Sequence, residues 1–269
     1  MVAALLATLL AASPASGVQA RLDALAASGE PLFVHVVVAL ADNENQGLIP
    51  VPEALGNGQD PEHNLYWGAR YGVGYYLTHD AGWTSLKVNG PLPDHVLRRL
   101  VLRKELERHG KHVKAYLVAD AYDGAAMHDA IDDFLHFASG RQSVVVKVGD
   151  ITLAAGGDAP VVAFVGHDGL MDMRVPGVDA IPDAPSRGAI VLACASAAYF
   201  KPMLKRAGAE PLLLTTGFMA PEAYTLAAEL DATIAGETPA TARESAATAY
   251  DKFQKCGLRG ARRLFTGSD

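Results

Sequence analysis

The chain has 269 residues, of which 50% are hydrophobic and 20% charged, with a net charge of −7. That is a globular composition with room for one large α/β domain or two small ones, and it speaks against long disorder. The acidic balance argues against a nucleic-acid partner, since phosphate recognition needs a basic stripe.

The first twenty residues, Met1 to Ala20, are Ala- and Leu-rich with small residues at Ala15, Gly17 and Ala20. They read as a secretory signal, although no positive charge precedes the apolar run. The other reading is an amphipathic helix continuing through Arg21 to Ala27. Export to the periplasm or medium follows from the first reading and a cytoplasmic protein from the second. The stretch is too short for a good membrane span, so no integral membrane segment is expected in the mature chain.

Leu32 to Leu40 is a near-continuous apolar run and predicts a buried central strand. It ends in the polar loop Asp42 to Gly47. Ile49 to Pro61, with three prolines and two glycines, predicts a long irregular connection. Asn64 is placed to cap a helix running from Leu65 to Leu77. Trp83 to Val88 predicts a short strand. The basic stretch Arg98 to Lys114 contains Glu105 and Glu107 and reads as a solvated helix face, although its apolar residues fit a helix only loosely. Val113 to Ala119 predicts a strand, and Met127, Ile131, Phe134 and Leu135 mark a helix. Ser143 to Val148 reads as an edge or hairpin strand.

Two apolar runs then end in reactive residues. Val161 to Val165 leads through Gly166 to His167, Asp168 and Gly169, and Ala189 to Ala193 leads to Cys194. Both have the composition of fully buried strands, and in an open parallel sheet such ends meet at the carboxyl edge where ligands bind. A thiol and an imidazole delivered there are the parts of a nucleophile–base pair. The connection from Leu170 to Gly188 holds Pro176, Pro182 and Pro185 and predicts a loop. Tyr199 to Ala207 predicts a helix with Pro202 in its first turn, Pro211 to Thr216 a strand, and Pro221 to Leu230 and Thr241 to Phe265 helices. No linker divides residues 30–269, so one domain is the better count.

A hydrophobic strand ending at His and a following one ending at Ala-Cys resembles the caspase-like cysteine peptidases (clan CD). The pattern over residues 31–235 is most similar to the bacterial CHAT domains, with Ala189-Ile190-Val191-Leu192-Ala193-Cys194, Ser196-Ala197-Ala198 and Leu204-Gly208-Ala209 carrying the likeness. The resemblance implies a three-layer α/β/α sandwich with a mostly parallel central sheet. It also implies acyl transfer to water, with Cys194 attacking a peptide or amide carbonyl and His167 moving the proton. The family uses the N–H of a Gly directly after His, with the N–H of the Cys, as an oxyanion hole. Here Asp168 intervenes before Gly169, so either N–H is a candidate donor beside that of Cys194. Relatives that choose basic residues use acidic pockets, for which Asp42, Glu44 and Asp172 are the candidates.

Other readings stand beside this one. Cys194 taken alone is most simply a buried apolar-like residue, and Cys256 a structural one. Two cysteines make neither a disulfide scaffold nor a thiolate zinc site, and a bond between them is allowed without being demanded. His167, Asp168 and Asp172 match no strong metal-ligand spacing, so no metal or cofactor is expected. His109 and His112 read as surface residues, and no Gly-x-Ser-x-Gly marks a serine hydrolase. The expected partner is a peptide or protein substrate. The rival is a non-catalytic caspase-like module that binds a peptide or partner protein. Nothing in the sequence addresses oligomeric state.

Overall fold

The computed structural model describes residues 17–47, 50–88 and 90–268. Its centre is β1 (Leu32–Ala39), whose side chains are buried on both faces apart from a partly exposed Phe33. A strand of this kind needs neighbours on both edges and helices on both faces. It has them: β4 (Lys111–Tyr122) pairs on one side and β7 (Val161–Val165) on the other, both parallel. Beyond β7 lie β8 (Gly188–Leu192) and β9 (Glu210–Thr215), also parallel. Antiparallel strands finish both ends of the sheet. They are β3 (Val96–Arg108) and β2 (Thr84–Leu86) beside β4, and β10 (Phe265–Thr266) beside β9. The order is β10-β9-β8-β7-β1-β4-β3-β2.

Helices cover both faces, so the molecule is an α/β protein with a mostly parallel eight-stranded sheet, in keeping with a three-layer sandwich. On one face α1 (Gly17–Ser28), α2 (Val73–His79), α5 (Ala223–Ala235), α6 (Pro239–Gln254) and α7 (Leu258–Leu264) enclose the larger core. On the other, α3 (Met127–Ser139) and α4 (Ser196–Ala207) enclose a second core around Phe134, Phe164 and Phe200. A separate hairpin, β5 (Ser143–Val148) with β6 (Ile151–Gly156), lies over β3 and β4 on that second face.

Several expectations are corrected. Residues 98–114 form a β-hairpin, not a helix face. Leu100, Leu102 and Leu106 recur in twos toward the larger core, and His109 and Gly110, both at positive φ, make the turn. The helix expected over 65–77 is only α2. Asn64 does not cap it, but is buried with its side chain on the N–H and C=O of Ala41, at 3.0 and 2.8 Å. Strand β6 was not anticipated. Helix α4 begins at Ser196, so Pro202 lies inside it. The long final helix is two, divided where Lys255 and Gly257 take φ of 55° and 82°. Of the possible signal, Met1–Ser16 lie outside the described residues, and Val18 is buried in α1.

Two buried polar anchors hold the layers in place. His35 on β1 donates toward Asp120, with Nε2 at 3.1 Å, and accepts the N–H of Gly156 on Nδ1 at 2.7 Å. Asp120 also takes both arms of Arg99 at 2.6 Å. Burial opposes charge on Asp120, but these donors hold its carboxyl below the usual range. Arg108, at the end of β3, is 1% exposed. It donates to Asp23 and Gln19 of α1 and to the C-terminal carbonyls of Thr233 and Ile234 on α5.

Candidate active site

The carboxyl edge is built by three neighbouring strands. Val38 of β1, Val165 of β7 and Leu192 of β8 lie in one row of the ladder. His167 follows Val165 by two residues and Cys194 follows Leu192 by two, so the register delivers them level with each other on adjacent strands. The Gly166 N–H still bonds Leu192 O at 3.2 Å, which carries the pairing one residue past the strands. Gly166 also lies so close to β1 that a Cβ would stand 2.8 Å from Ala39 O, so only glycine fits. Counting in twos from the paired valine and leucine takes both side chains toward the larger core's face. The Cys194 thiol is there, donating to Met219 O at 3.7 Å.

After His167 the chain makes a 3-10 turn, Gly169–Met171, capped by the Asp168 side chain, whose Oδ1 accepts the Leu170 N–H at 3.1 Å. This turn swings Asp172 back onto His167, with Oδ2 2.5 Å from Nε2. The imidazole is thus held by a carboxylate on one nitrogen, and Nδ1 makes no hydrogen bond among the described residues. Asp172, a candidate for substrate binding in the sequence, is spent here on orienting His167. It also touches the loop after β1, since a Cβ on Gly47 would lie 2.6 Å from its Oδ1.

Cys194 sits between β8 and α4 on a tight turn. Ala195 is left-handed, at φ 51° and ψ 28°, and is the N-cap of α4. Its N–H is held by Gly217 O at 2.8 Å. Ser196, fully buried, donates to Val191 O at 3.0 Å and accepts the Thr215 N–H at 2.9 Å, while the Thr215 hydroxyl donates to Ala193 O. This clasp ties the ends of β8 and β9 together beneath the thiol. Tyr66 lies within electrostatic reach of Cys194, and its phenol is pushed well above its usual range by burial, with Cys194 and Glu222 adding.

The backbone N–H groups at this edge differ in their partners. The Gly169 N–H is engaged by His167 O at 3.0 Å. The N–H groups of Asp168 and Cys194 make no hydrogen bond among the described residues. The Asp168 carboxyl points into the protein. It is fully buried, Oδ2 has no partner, and burial pushes it up to about 7, against the pull of the Leu170 N–H and with the nearby Asp172 adding.

Asp42 and Glu44 lie at the edge of β1. The Asp42 carboxylate is 1% exposed and organises its own loop, accepting from the N–H groups of Glu44 and Asn45 and from the Asn45 and Gln59 side chains at 2.9 to 3.1 Å. Burial works against its charge, yet these bonds keep it below the ordinary carboxylate range. Glu44 is exposed and lines an open basin of about 800 Å³ together with Glu53, Asn57, Asp60 and His63. Neither His167 nor Cys194 lines that basin.

The Ser196–Thr215 clasp and Tyr66 escape a reading from sequence. The clasp joins residues nineteen positions apart, and the position of Tyr66 depends on Asn64 bonding across to β1. No cluster of three or more His, Cys, Asp or Glu side chains arranged for a metal ion occurs among the described residues, and no described helix is long and apolar enough to cross a membrane. Compared with known proteins, the chain matches no family model, no curated protein and no solved structure.

Proposed function

We propose that the chain is a caspase-like cysteine hydrolase that cleaves a peptide or amide bond. The observation that carries this reading is the placement of His167 and Cys194 level on adjacent parallel strands, with Asp172 on Nε2 of the imidazole. In this scheme His167 takes the Cys194 proton, the thiolate attacks the carbonyl carbon, and the free N–H groups of Cys194 and Asp168 receive the developing oxyanion. The imidazolium then gives its proton to the leaving amine. Water, deprotonated by the same imidazole, hydrolyses the thioester. Asp172 keeps the ring in one orientation and stabilises its charged form. The start of α4 adds a partial positive charge near the nucleophile.

One contact favours the rival, a peptide-binding module without catalysis. The thiol donates to Met219 O and makes no hydrogen bond to His167. Catalytic hydrogen bonds are often absent before substrate binds, so the contact does not decide the matter. Alkylation by iodoacetamide at graded pH, read by peptide mass mapping, does. Cys194 is expected to label near neutral pH faster than Cys256, and His167→Ala to slow it by about tenfold or more. Asp172→Asn is expected to fall between. Labelling no faster than that of Cys256 and indifferent to His167 would leave the binding module as the better reading. Hydrolysis of a mixed peptide-amide library, lost in Cys194→Ala, is the direct test.

A further inference from the structure

Contacts of one loop, residues 216–222, lead toward both cysteines of the chain, although 62 positions separate them in the sequence. From the sheet side, Cys194 Sγ contacts Met219 O at 3.7 Å. From the helix side, the next residue, Ala220, donates its N–H to the Tyr250 hydroxyl at 3.1 Å. Tyr250 stands in the last turns of α6, and Cys256 follows directly after that helix ends. The Tyr250 phenol lies within electrostatic reach of both thiols. Burial raises it, the Ala220 N–H opposes, and Cys256, Glu222 and Cys194 add to the rise.

Cys256 is exposed and free, and among the described residues its thiol hydrogen-bonds only Gly257 O of its own linker, at 3.9 Å. The linker holds a non-glycine residue in the left-handed region, Lys255 at φ 55°, with Gly257 on the other side of Cys256 at 82°. Rotation of Lys255 out of the left-handed region relieves strain and moves the cysteine. Gln254, which bonds Glu222 and Tyr224, keeps the end of α6 docked against the loop meanwhile.

We propose that Cys194 and Cys256 form a reversible intrachain disulfide when the protein meets a peroxide, masking the thiol at the end of β8. The Cys194 thiolate attacks one peroxide oxygen, the O–O bond breaks, and a sulfenic acid and hydroxide result. The Cys256 thiolate then attacks the sulfenic sulfur, forming the S–S bond and expelling hydroxide. With the two thiol protons, both hydroxides become water, and the two electrons lost by the thiols reduce the peroxide. Bonding requires the two Cα atoms to come within about 7 Å, which the linker must supply. The proposal holds whether or not Cys194 hydrolyses anything.

The test is hydrogen peroxide added to the reduced full chain at low protein concentration, followed by alkylation and tryptic mapping without reductant. Cys194 falls in the peptide 188–205 and Cys256 in the peptide 256–259. The expected product is these two peptides linked within a monomer, released by dithiothreitol, and formed faster in native protein than in urea. In Cys256→Ser, Cys194 is expected to proceed to sulfinic acid, with loss of dithiothreitol recovery. Sulfinic Cys194 in the wild type while Cys256 stays alkylatable, links only between chains, or links formed no faster than in urea would each overturn it. A failed hydrolysis assay would leave this result untouched.

Discussion

The Asp168 carboxyl offers a measurement whose sign and size follow from its surroundings. It is fully buried with Oδ2 unpartnered, and burial pushes it up from 3.8 to about 7 in the folded protein. Between those values the native state holds a proton that the unfolded chain has released. Stability therefore falls as pH rises through that window, and the full penalty is present above about pH 7. At about 1.4 kcal/mol per pH unit, the total is about 4 kcal/mol, of which about 3 kcal/mol develops between pH 5 and pH 8. Asp168→Asn removes the titration and keeps an oxygen to accept the Leu170 N–H. Its amide nitrogen also needs a partner, which adds an offset that does not change with pH. Urea unfolding of both proteins at half-unit steps from pH 5 to pH 8 is the assay. The variant is expected to gain about 3 kcal/mol on the wild type across the range. A difference that stays flat with pH would refute the assignment of a buried, proton-holding Asp168.

Four further outcomes are expected. Glu229 on α5 is 1% exposed, and burial raises it to about 8, so Glu229→Gln is expected to gain on the wild type from about pH 5 upward and to level off only above pH 8, later than the Asp168 variant. Arg108→Met strands two helix-end carbonyls and the α1 contacts and is expected to cost about 3–5 kcal/mol by urea unfolding. Arg262→Ala, which breaks only the exposed pair with Glu244, is expected to leave the midpoint unmoved. Ser196→Ala leaves the buried Thr215 N–H without its acceptor, for a loss of about 1–3 kcal/mol, and is expected to alter the alkylation rate of Cys194 by loosening its turn.

The strands that build the carboxyl edge were legible because each is an unbroken apolar run, and a run buried on both faces leaves that mark. β1, β7, β8 and β9 all fall where expected. Strand β3 was not legible, although its partner β4 was expected over Val113 to Ala119. Its basic residues alternate with leucines that could serve a loose helix, and the deciding pieces, the His109–Gly110 turn and burial of Arg108, are tertiary. At the site, the sequence named Asp172 without its partner. A five-residue step from His167 reveals a contact only once the intervening 3-10 turn is known. Asp42 shows the converse, since its loop of Asn and Gln side chains consumes the carboxylate that a substrate would have needed.

The strand order also dictates when the carboxyl edge comes into being. The β3–β4 hairpin pairs neighbours through a two-residue turn and can close within microseconds of being made. β1 is made before every other described strand, yet its partner β7 lies more than 120 residues downstream, and β9 follows later still. Such distant parallel pairings carry the largest loop-closure cost and form late. During synthesis, then, Cys194 leaves the ribosome before the strand that braces its turn. The Ser196–Thr215 clasp that fixes the turn after β8 closes only once β9 has docked, so this edge takes its final form late in folding.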